Sequence, residues 1–215
     1  MQNGICTVCG SSGQSAPTLA HEIGHYYQTL ANNDLSSYDL LETHSQSNEF
    51  FFLEFCQPQL PATAFDVIYA YQLVNACYII VMATIIDEFE QRVYALDSEV
   101  VANYKSEDFD AIMTEVCKAY GGAKFVESEL ADPFNYWRQV TITNPVYYIS
   151  YAVSAVAALE VNALLQEDSD AAYAAYITLV EGVTPEDGFV GALIKAGLTS
   201  PFEEDTYKAI AKVFD

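Results

Sequence analysis

From Thr18 onward apolar residues recur at helical spacing, and alternating runs long enough to form strands are few. The pattern predicts helices over 18–33, 38–56, 62–103, 107–119, 145–167, 170–181, 187–196 and 203–213. Breaks fall where turn residues cluster: Asn32-Asn33-Asp34, Pro58 to Pro61, Gly121-Gly122, Asp132-Pro133, Pro185 to Gly188 and Gly197 to Pro201. Ser106 and Thr206 are candidate helix starts by capping chemistry. Residues 1–17 are rich in Gly, Ser and Cys and read as a flexible segment ahead of one helical domain, 18–215. The expected fold class is all-α, a multi-helix domain with any β or loop elements confined to the N-terminus.

One apolar run needs separate treatment. Residues 67–86 are uncharged over twenty positions, enough to span a bilayer. The run also holds Tyr69, Tyr71, Gln72, Asn75, Tyr78 and Thr84, and Asp66 and Asp87 flank it without a positive anchor. These features predict a buried core helix rather than a membrane span.

Composition narrows the function classes. The chain has 215 residues, 52% hydrophobic and only 18% charged, which makes it a packed globular protein rather than a disordered one. Thirty Asp and Glu face eight Lys and Arg, for a net charge of -22. Nucleic acid is excluded as a partner, because displacing counterions from phosphates needs clustered basic residues, and Arg92 and Arg138 form no cluster. Five cysteines, an odd number, with three inside apolar helical patterns, point to a reducing, cytoplasmic setting. Cys6-x-x-Cys9 has the spacing of half a zinc ribbon, but no second pair completes it.

His21-Glu22-Ile23-Gly24-His25 carries the chemistry. Residues four apart share a helix face, so both imidazoles can bind one Zn²⁺, with Glu22 beside it as base for a metal-acidified water. A catalytic zinc of this kind takes a third protein ligand and keeps a fourth position open. Glu42, on the next predicted helix, is the best candidate, and His44 is its rival. Two residues apart, they point to roughly opposite sides and should not both reach one ion. Glu49, two turns beyond Glu42 on the same face, can accept a hydrogen bond from a ligand imidazole. The neighbouring run Phe50-Phe51-Phe52-Leu53 suggests that this helix is largely buried, where a carboxylate needs a partner.

Two segments together, Thr18 to His25 and Glu42-Thr43-His44-Ser45-Gln46-Ser47-Asn48-Glu49, resemble the zinc-site segments of the thimet oligopeptidase and oligoendopeptidase F family. The resemblance continues through Asp87 to Glu90, Tyr147 to Ala152, and the stretch from Gly182 to Lys212. It implies a helical zincin-like catalytic domain, with one zinc held by His21, His25 and Glu42, Glu22 as general base, and short peptides as substrates. It further implies oxyanion donors among Tyr151, which matches best, and its close alternatives Tyr148 and Tyr147.

Two departures stand out. Family members are much longer, with a helical lobe ahead of the zinc motif, so the chain resembles their C-terminal catalytic portion. Self-association or a separate lobe is therefore an expected partner. The family also uses a downstream histidine for the oxyanion, whereas none follows His44 here and that region reads Trp137 to Asn144. Gln139 is a weaker neutral substitute. The expected function is a zinc-dependent oligopeptidase, and the alternative is a weak or inactive relative that binds peptides or a partner chain.

Overall fold

A computed structural model describes residues 15–32, 34, 37–121 and 136–214. Cys6 and Cys9, with the rest of 1–14, lie outside the described residues. The fold is all-α, with ten α-helices and no strand among the described residues. They are α1 (Ser15–Ala31), α2 (Tyr38–Cys56), α3 (Ala62–Tyr94), α4 (Ser98–Val101), α5 (Ser106–Ala119), α6 (Tyr136–Thr143), α7 (Ile149–Glu167), α8 (Ser169–Ile177), α9 (Gly188–Lys195) and α10 (Glu204–Ala211).

The helices group into two compact units, with the divisions falling inside α3 and α7. One comprises 1–77 and 153–215, and its core joins Leu40 of α2, Ala157 and Val161 of α7, and Leu179, Leu193 and Leu198. The other comprises 78–152, and its core packs Ile86 and Phe89 of α3 against Val116 of α5, Trp137 of α6 and Tyr148.

Several boundaries differ from the sequence expectation, each for a local reason. α1 begins at Ser15, with Pro17 in its first turn, where a missing N–H costs nothing. The helix expected over 62–103 stops at Tyr94, and Asp97 starts α4 by accepting the Glu99 N–H at 2.8 Å. The one expected from 145 starts only at Ile149, because Val146 adopts φ 63° and directs its N–H at both oxygens of Glu90, 3.1 Å away. A β-branched residue in that region is strained, and the carboxylate holds it there. α6 was not foreseen. Ser106 opens α5 at its first turn, but Thr206 starts nothing: it is buried, donating to the Ser200 carbonyl at 2.6 Å, and α10 begins at Glu204.

The larger correction concerns α3. Over its most apolar stretch only 33% of residues are buried, and Val67, Tyr71, Val74, Tyr78 and Val81 are all exposed. Their 4-3-4-3 spacing makes one continuous stripe along the helix. A helix apolar all round has more apolar surface than one packed face can cover. By length and composition α3 and α7 could each cross a bilayer, although the corresponding stretch of α7 is 72% buried.

Candidate metal centre

α1 and α2 pack as an antiparallel pair whose register decides the site. Asn48 of α2 donates to the Ala20 carbonyl at 2.6 Å, and His21 meets Glu49 while His25 meets Glu42. Gly24 sits between these contacts. A Cβ built on it would lie 2.8 Å from the Ser45 Cα and 3.3 Å from the His44 carbonyl oxygen, so only glycine allows this approach. The far end of α1 is also tied down: Tyr27 donates to Glu181 at 2.8 Å, and Asn32 to the Val183 carbonyl at 2.9 Å.

At this crossing the structure brings His21, His25 and Glu42 together, their ligand atoms all within 4.8 Å of one another. Glu42 Oε2 lies 3.3 Å from His21 Nε2 and 3.6 Å from His25 Nε2. A tetrahedral zinc bound at about 2.0–2.1 Å places its donors about 3.3 Å apart, close to the two separations between Glu42 Oε2 and the imidazole nitrogens. Two imidazoles and a carboxylate are also a donor set suited to zinc.

The surroundings support the ligands individually. Glu49 Oε1 is 2.6 Å from His21 Nδ1 and accepts its hydrogen, so Nε2, on the side of Glu42, is the nitrogen that can offer a lone pair once its own proton is lost. The other Glu49 oxygen accepts from Gln72 of α3. Glu42 is buried, and the Ser45 hydroxyl lies 3.3 Å from its Oε2. Burial pulls the pKa of His21 down, but hydrogen bonds and charge from Glu42 and Glu49 outweigh it and raise the value to about 9. In the metal-free chain that proton sits between the imidazole and the two carboxylates, and a metal would have to displace it.

His44 is placed elsewhere. It is fully buried, its ring edge-on to Tyr176 at 6.3 Å, and neither ring nitrogen has a partner at hydrogen-bond geometry. Burial, opposed by the nearby Leu179 backbone, holds its pKa down to about 4, so it is a neutral core imidazole.

Glu22 lines a cleft of about 740 Å³ together with His21 and Glu49, and Val67, Tyr71 and Gln72 of α3 line it as well. Apolar side chains beside polar, chemistry-bearing ones are the usual build of a ligand cleft. Comparison with known proteins was made at three levels. No family model matches the chain, and no curated protein matches it either. Among solved structures it is similar to the crystal structure of a putative oligoendopeptidase F from Bacillus anthracis str. Ames, with a TM-score of 0.72 and 20% sequence identity. The fold is shared. The match covers 95% of this chain and 34% of the Bacillus protein, so the chain spans about a third of that protein's length.

The tyrosines belong to the other compact unit. Tyr148 is buried and Tyr151 half-buried; Tyr147 donates to the Tyr151 hydroxyl at 3.0 Å, and the Tyr148 and Tyr151 rings lie 5.2 Å apart. Gln139 is exposed on α6. Sequence reasoning missed Gly24, Asn48 and Gln72. Only Gly24 gave a signal, being a glycine in mid-helix where alanine would be about 1 kcal/mol better for the helix itself.

Proposed function

We propose that this chain is a zinc-dependent metallopeptidase domain that hydrolyses short peptides. The observation that carries the reading is the meeting of His21, His25 and Glu42, with Glu42 Oε2 3.3 and 3.6 Å from the two imidazoles and Glu49 orienting His21 from behind. Zinc bound there would polarise the scissile carbonyl and acidify a water to a pKa of about 7. Glu22, on the cleft wall beside His21, takes the proton released and passes it toward the leaving amine. The apolar side chains of α3 hold the peptide against that wall and exclude water. On this reading Tyr151 and Tyr148 donate to the oxyanion, a role that rests on the resemblance of their segment and not on a distance.

Similarity of fold to the Bacillus protein and the donor set support the reading together. The test is hydrolysis of a quenched fluorescent peptide library by purified protein, alongside metal analysis. Turnover abolished by a chelator and restored by zinc is expected; cleavage indifferent to chelation would overturn it. A second reading, a weak or inactive relative that only binds peptides, is favoured by one observation: the three histidines are His21, His25 and His44, leaving none for the downstream oxyanion role. Zinc content and peptide binding without turnover would select it.

A further inference from the structure

α1 turns the wrong side to solvent for a surface helix. Its buried residues include the small or polar Ala20, Gly24 and Gln28, whereas Leu19, Ile23, Tyr26 and Leu30 are 44 to 67% exposed. A surface helix ordinarily directs its large apolar side chains inward. Here the approach of Gly24 to the α2 backbone leaves no room for them on the packed face. The exposed four are spaced 4-3-4, which sets them in one row like one seam of a coiled coil. The first half of α3, in the same compact unit, shows a matching row: Val67, Tyr71 and Val74, spaced 4-3 and 49 to 70% exposed.

Given these fractions, each of the seven side chains leaves on the order of 100 Å² in water, so one copy offers about 700 Å² and a pair would bury about 1,400 Å², within the range of specific interfaces. Charge selects the same surface. In a chain of net charge -22, two copies repel wherever their carboxylates meet. α1 carries one formally charged residue, Glu22, outside the row, and 67–86 carries none, so these faces can meet without that repulsion. A bilayer is a poorer occupant: interfacial helices hold to it by Lys and Arg, and neither α1 nor the first half of α3 has one. The two rows also suit each other. Large side chains on α1 and short valines on α3 are knobs and holes on one spacing, and every copy carries both. We propose that two copies of this chain pair about a two-fold axis, the α1 row of each packing on the α3 row of the other. Val67 and Tyr71 also line the cleft, so the second copy forms part of its rim. The pairing requires neither zinc nor peptidase activity.

Sedimentation velocity on the full chain, from about 1 to about 100 µM, should show a dimer forming or already formed, since interfaces of this size reach micromolar affinity or better. Tyr26→Lys and Val74→Glu each put a charge into one row at a position already in water. Each should weaken pairing at least about tenfold, because the charge is desolvated only in the dimer, while far-UV circular dichroism and Tm of the monomer stay unchanged. Mixed together, the two variants should pair more tightly than either alone: the hybrid dimer sets lysine against glutamate across one seam and leaves the other intact. Leu30→Lys and Val67→Glu take their places should either variant not fold. The proposal is overturned if the wild type stays monomeric across the range, whether or not it floats with liposomes of phosphatidylcholine and phosphatidylserine. It is equally overturned if the folded variants assemble like wild type, or if mixing them brings no gain.

Discussion

Glu22→Gln keeps the size of the side chain and removes its basicity, so it separates the proton's route from the metal's hold. The variant should retain zinc while peptide turnover falls by about 10² to 10⁴, the range typical of a lost general base. Equal activity in the two proteins would end that assignment. His25→Ala acts on the other half of the site: it should lower zinc content and the zinc-loaded Tm together, because the metal stabilises only the state that binds it. His21 adds a pH dependence. With its pKa at about 9 in the folded chain against 6.5 unfolded, metal-free protein gains stability from the extra proton below pH 6.5 and loses it as pH rises through 9. The difference in Tm between wild type and His21→Gln, both chelator-treated, should shrink across that window. Zinc affinity should rise over the same range, since binding must displace this proton.

Between helices the decisive quantity is the approach of α1 to α2. Gly24→Ala normally favours a helix by about 1 kcal/mol, yet here the added methyl would meet the α2 backbone at 2.8 Å. The pair must separate, so the variant should lose both thermal stability and zinc affinity, read by melting and by competition with a chromophoric chelator. His21, His25 and Glu42 were legible because spacing on two helices, with a short connection, leaves few ways to fold. The contribution of Gln72 was not, since it comes from a third helix whose register no local pattern encodes. α3 was legible as a helix and not as a surface: periodicity reports which positions are apolar, but Val74 and Val81 look the same in sequence whether covered or exposed. α6 escaped notice because four of its eight residues are β-branched and two are aromatic, types that favour strands, and it forms through the burial of Trp137 and Val140.

For the molecule as a whole, the rate of catalysis should reflect a reduced donor set. Removing one preorganised oxyanion donor typically costs about 10² to 10³ in kcat, so slow turnover is expected, with Tyr151→Phe lowering it further. Rapid turnover insensitive to that change would show that the oxyanion is stabilised by other groups. The cleft also has a property that belongs to neither wall alone. Gln72 holds Glu49, Glu49 holds His21, and Gln72 lines the surface on which a peptide would rest. An occupant that draws the Gln72 amide toward itself loosens the carboxylate and with it the aim of the imidazole. The site can therefore feel what lies in it through a chain of two hydrogen bonds, so peptides of equal affinity need not leave the histidine equally well aimed.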